Sequence, residues 1–172
     1  MLTRRPEVWE KEITGYTKGS SWENRGDMVG KLNVVSSNAK DVVSDADVVI
    51  ICSPAHTKNE ILAEIKPFLK RGALIGTIFG QGAFDLQAMH ILGKENILER
   101  NLTIFSLQYV PFICKAITYG KDINIIGPKK HLYVTSYPID RVHYVCQVMT
   151  NCYFIPTVPI PSFLNLTLCP SN

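Results

Sequence analysis

The sequence predicts an α/β fold, doubly wound about a mostly parallel sheet whose opening portion is missing. Three observations carry this. Asp47-Val-Val-Ile-Ile-Cys52 sets four β-branched residues in a row, a pattern with no water-facing side that suits a strand covered on both faces. Ile61, Leu62, Ile65, Phe68 and Leu69 then recur at helical spacing. Ala73-Leu-Ile-Gly-Thr-Ile-Phe79 is a second apolar run. Strand, helix and strand thus follow one another within about 35 residues, a βαβ unit of the kind that builds parallel sheets.

Taken in order, the elements begin with Pro6 at a favoured first-turn position. Val8, Trp9, Glu12 and Ile13 continue at helical intervals, so residues 6–15 are expected to be helical. Residues 15–30 are polar and studded with glycine, as a surface loop would be. Leu32-Asn-Val-Val-Ser36 reads as a short strand, and residues 39–46 as a short helix returning to Asp47. Ser53-Pro54-Ala55-His56 ends the first apolar strand, since proline cannot continue its ladder. Thr57 and Glu60 have capping-box spacing, Pro67 should distort the last turn of the helix, and Gly72 closes it. Beyond Phe79, residues 83–92 read as a helix, and residues 102–107 and 123–126 as strands. Residues 140–149 read as a helix with Val142, Val145, Cys146 and Met149 inward. From Pro156 the run Pro-Thr-Val-Pro-Ile-Pro is too rich in proline for a central strand.

Composition narrows the function classes. The chain has 172 residues, 46% hydrophobic and 19% charged, which is globular material enough for one domain. A net charge of +3 with scattered Lys and Arg leaves no footprint for nucleic acid. Five cysteines (Cys52, Cys114, Cys146, Cys152 and Cys169) lack any C-x-x-C pair, so neither a disulfide framework nor a zinc site is expected. No run approaches the length of a membrane span and the N-terminus has no apolar signal region. A cytoplasmic location is the expectation, with the sequons at Asn101 and Asn165 as chance occurrences.

In such a fold a ligand lies outside the carboxyl ends of the strands, here residues 53–56 and 79–82. The glycine-rich G-x-G-x-x-G turn does not occur. Gly80-Gln81-Gly82 has its first two glycines but continues Ala-Phe-Asp after a later strand. It reads either as a loop that a ligand approaches closely or as a plain strand-to-helix turn. If Leu2-Thr3 ends a strand, Arg4 and Arg5 stand where a Rossmann fold recognises the adenosine ribose, and arginine there accepts a 2′-phosphate. Two solvated arginines are the alternative.

Cys52-Ser-Pro-Ala-His56, Gly80-Gln-Gly-Ala-Phe-Asp85, Leu107-Gln-Tyr-Val-Pro111 and the closing Pro161-Ser-Phe-Leu-Asn-Leu-Thr-Leu-Cys-Pro-Ser-Asn172 together resemble the octopine/nopaline (opine) dehydrogenases. The resemblance extends over essentially the whole chain. It implies an NAD(P)-dependent oxidoreductase that condenses an amino acid with an α-keto acid and reduces the imine. It also implies an incomplete Rossmann-type domain over residues 1–155, lacking the first strand and its glycine turn. Residues 156–172 would lead toward an absent helical domain that carries the catalytic histidine. By the same resemblance Cys52, Ser53, Pro54 and Ala55 line the ribose–pyrophosphate edge of NAD or NADP. Gly80, Gln81 and Gly82 pass the nicotinamide side, and Gln108 contacts substrate. No catalytic residue is assigned, His56 included, and the chain by itself is expected to be inactive. A non-catalytic nucleotide-binding or regulatory module of the same fold is the other class to separate.

Overall fold

A computed structural model describes residues 1–80 and 82–167. Along the chain it places strands β1 (Glu12–Tyr16) and β2 (Met28–Lys31), helix α1 (Ala39–Val43), strand β3 (Val48–Ile51), helix α2 (Lys58–Ile65) and strand β4 (Leu74–Thr77). Helices α3 (Phe84–Leu92) and α4 (Lys94–Glu99) precede strands β5 (Thr103–Leu107), β6 (Phe112–Thr118), β7 (Asp122–Pro128) and β8 (Leu132–Tyr137). Helix α5 (Val142–Tyr153), strand β9 (Thr157–Pro159) and helix α6 (Phe163–Thr167) follow. These elements form two compact units: Met1–Val42 with Pro111–Lys129, and Val43–Val110 with the described residues from Lys130 onward.

The second unit holds the predicted α/β sheet, in the order β3-β4-β5-β8-β9. β3, β4 and β5 run parallel, β8 is antiparallel to β5, and β9 is parallel to β8. Every residue of β4 and β5 is buried. Successive side chains of a strand point to opposite faces, so both faces of this part of the sheet are covered. The ring of Phe105 lies across β4 at Gly76, where a Cβ would come within 2.4 Å of it. Glycine in mid-strand is what admits the ring. Val142, Val145, Cys146 and Met149 are the buried residues of α5, as the helical spacing implied. β9 is the outer strand of the sheet, an edge position that proline tolerates.

The first unit departs from the sequence reading. Pro6 does open a turn, but the turn is a single 3-10 one, Pro6–Val8, and β1 follows in place of a helix. β1 contains two β-branched residues and Gly15, and it is paired on both sides, antiparallel to β2 and parallel to β7. Those ladders override the weak helical spacing. The stretch expected as a loop over residues 15–30 therefore includes strand at both ends. Of residues 32–36 only Ser36 pairs, through an isolated parallel bridge to Leu2. Residues 123–126 are a strand, as expected, but belong to the sheet β2-β1-β7-β6.

Candidate functional site

The carboxyl ends of β3 and β4 are tied together from inside. The buried Thr77 hydroxyl donates to the Ile51 carbonyl at 2.9 Å. Beyond these ends lies a cleft of about 310 Å³. Ile51, Cys52, Ser53 and Pro54 form one wall, Thr77, Ile78 and Phe79 the other, and Val110 reaches in from beyond β5. This is where a parallel sheet presents its ligand site. The Ser53 hydroxyl oxygen is buried and has no hydrogen-bond partner among the described residues.

Two loops frame the cleft. After β3, Pro54 leads into a 3-10 turn, Ala55–Thr57, which runs directly into α2. Thr57 does not form the expected capping box. Its backbone is already helical, and its hydroxyl donates to the Pro54 carbonyl at 3.0 Å. After β4, the Gly80 N–H donates to the Leu107 carbonyl at 2.8 Å, and a Cβ on Gly80 would lie 2.8 Å from Ser106 Cβ. Gly82 adopts φ +81°, with Ala55 Cβ 3.1 Å from where its own Cβ would stand. The chain's own geometry thus demands both glycines, one for close approach and one for a left-handed turn. Gln81 lies outside the described residues.

Lys58, which composition had not singled out, opens α2 behind this cleft. It is 2% exposed, donates to the Phe79 carbonyl at 3.1 Å, and its ammonium sits 5.4 Å from the centre of the Phe84 ring. Burial lowers its pKa, and the Cys52 thiol pulls the other way. Burial likewise pushes the Cys52 thiol up, with Lys58 opposing, although part of that residue reaches solvent. Tyr153 is raised strongly, by burial first and then by Cys52 and Cys152. A signal for Lys58 was present: positions 58, 62 and 65 share one helix face, and all three are buried.

The other candidates fall as follows. Gln108 is buried at the end of β5, and its N–H donates to the Tyr133 carbonyl at 2.9 Å. Pro54, Ala55 and His56 are exposed, as are His90, His131 and His143. Arg4 and Arg5 are exposed in the first unit, where the Arg5 guanidinium lies 5.2 Å from the Tyr119 ring centre. Among the described residues there is no cluster able to hold a metal ion, and no helix is long and apolar enough to cross a membrane.

Sheet order, parallel core and strand-end cleft define a Rossmann-like α/β domain. No protein-family model matches the chain. Within the class, it is similar in sequence to tauropine dehydrogenase of Arabella iricolor, 26% identical over 103 residues, which are 60% of this chain and 25% of that protein. It is 28% identical to opine dehydrogenase of Haliotis discus hannai over 102 residues, 59% of this chain and 24% of that one. Its fold matches octopine dehydrogenase solved with NADH and L-arginine, with a TM-score of 0.73 at 19% identity over 95% of this chain and 40% of that one. The particular likeness is therefore to the opine dehydrogenases, as the motifs implied. The matched segments span about a quarter of the length of these two relatives.

Proposed function

We propose that the chain carries the cofactor face of an opine-dehydrogenase-like oxidoreductase, which joins an amino acid to an α-keto acid and reduces the imine with NAD(P)H. The observation behind this reading is the strand-end cleft with the unsatisfied Ser53 hydroxyl in its wall, in a chain similar to tauropine and opine dehydrogenases. A buried hydroxyl without a partner is costly unless a ligand completes it. A ribose or pyrophosphate oxygen does so.

When bound, the dinucleotide supplies the hydride. The chain's part is to hold and orient it. Ser53 offers a hydroxyl, while Cys52, Pro54 and Ala55 present short side chains that let a ligand come near the backbone. Gly80 and Gly82 pass the nicotinamide side, and Gln108 contacts substrate. Imine reduction also needs a positioned acid or base. The four histidines are exposed, and none pairs with a carboxylate among the described residues. That arrangement favours binding without turnover by the chain alone, which is also what a non-catalytic nucleotide-binding module would do.

Calorimetry with NADH and NADPH tests the reading. Saturable but weak binding is expected, above about 10 μM, because no glycine-rich turn holds the pyrophosphate. No saturable binding of either cofactor at millimolar concentration sinks the proposal. Oxidation of NADH with pyruvate and an amino acid by the chain alone would instead refute the absence of turnover.

A further inference from the structure

The helix face formed by positions 58, 62 and 65 sends the Lys58 side chain inward beside Leu62 and Ile65, which are 0% and 1% exposed. Its ammonium meets a carbonyl oxygen and the face of a phenyl ring, both uncharged. No carboxylate pairs with it among the described residues. One hydrogen bond and one ring face return only part of what it costs to take an ammonium out of water. Yet the charge is not remote from solvent space. Phe79, to which Lys58 bonds, and Cys52, whose thiol feels its charge, both line the cleft. Among the described residues no acidic or basic side chain lines that cleft. A cation one layer behind a wall of low polarity projects its field into the cleft instead of being screened.

We propose that Lys58 is the buried counter-charge for a phosphate-bearing nucleotide in this cleft, acting through the wall formed by Phe79 and Cys52 without touching the ligand. The inference rests on the dinucleotide reading for the phosphate-bearing class of ligand, and not for its nicotinamide end. Lys58 is thus a positioning residue. It draws the anionic portion of the ligand toward residues 52–54, where the Ser53 hydroxyl waits for an acceptor or donor.

Titration of the 172-residue chain with ADP and with adenosine separates charge from recognition of the base. The wild type should prefer ADP. In Lys58→Met that preference should fall about tenfold with adenosine binding unchanged, as expected for loss of one desolvated charge. Lys58→Arg should restore part of it. An ADP preference that survives Lys58→Met overturns the proposal. Should the methionine variant not fold, the wild-type chain with isotope-labelled lysine gives a second reading. The Lys58 side-chain resonances should shift at saturating ADP and not with adenosine, and an unmoved signal overturns the proposal. NADH titrated in parallel keeps the two readings apart. Lys58-dependent ADP binding without NADH binding removes the dinucleotide reading alone. NADH binding indifferent to Lys58→Met removes the role of Lys58 alone. Binding of no nucleotide removes both.

Discussion

At the scale of the residue, Lys58 sets ligand attraction against stability. Its folded-state pKa lies below the unfolded value because burial penalises the charged form. Between those two values the unfolded chain binds more protons than the folded one. The cost to folding is therefore fully present below the folded-state pKa and is relieved as pH rises toward the unfolded value. Lys58→Met, of similar volume and without charge, should stabilise the chain at pH 7 by about 1 kcal/mol or more. That gain should shrink as pH rises toward 10. Cys52 and Tyr153, both raised by burial, act in the opposite sense at alkaline pH, so the wild-type-minus-variant difference reads the lysine together with its coupling to the Cys52 thiol. Urea denaturation at several pH values reads it, and a difference that does not vary with pH would contradict the account. Lys58 also shows why a charged site residue escapes composition. A lysine in a sequence reads as a solvated face, and only its register with Leu62 and Ile65 gives it away. The ends of β3 and β4, where Ser53 and Pro54 line the cleft, were legible because proline and glycine mark where strands end.

At the scale of the element, cations of one segment complete the carbonyls that another leaves open. α2 gives way at Ile65 to a 3-10 turn, Lys66–Phe68, as Pro67 implied. The Leu69 carbonyl beyond that turn accepts from Arg100 Nη2, and Arg100 Nη1 reaches the Lys66 carbonyl at 3.5 Å. Lys66 Nζ in turn donates to the Ile91 carbonyl near the end of α3, at 2.8 Å. Arg100→Ala leaves a part-buried carbonyl without its charged donor and should cost about 1.5–3 kcal/mol. The expected result is a lower urea midpoint at unchanged m-value, with Arg100→Lys recovering part of the loss. A midpoint within about 0.5 kcal/mol of wild type would show that water replaces the guanidinium. β3, α2, β4, α3, β5 and α5 were readable because each carries its own period, whereas α4, β9 and α6, only six, three and five residues long, were not. β8 was not, because buried Thr135 and Ser136 dilute its apolar signal. β6 was not, because it is an edge strand with six of its seven residues exposed.

At the scale of the whole molecule, legibility follows sequence separation. β3, β4 and β5 are neighbours in both sequence and space, so the pattern that makes each strand also implies its partner. β1 pairs with β7, more than a hundred residues away, and nothing local in either segment announces that ladder. The same topology leaves a vulnerable place. β3 pairs with β4 along one edge, and no strand pairs with its other edge among the described residues. The Asp47 carbonyl accepts from the Leu74 N–H. In a parallel ladder the backbone groups of successive residues point to alternate sides, so Val49 and Ile51 face β4 while Val48 and Ile50 face the open edge. Their side chains are β-branched and uncharged, and an edge of that kind recruits a second strand. The chain should therefore associate as concentration rises, by edge-to-edge pairing at β3. Val48→Pro removes one outward donor at the first residue of the strand, where proline is tolerated, and spares the ladder to β4. Sedimentation velocity across a concentration series should show the variant associating several-fold less than wild type at an unchanged Tm. A wild-type chain monomeric at every concentration, or a variant that associates equally, would mean that the edge is closed in solution by something other than a strand of a second copy.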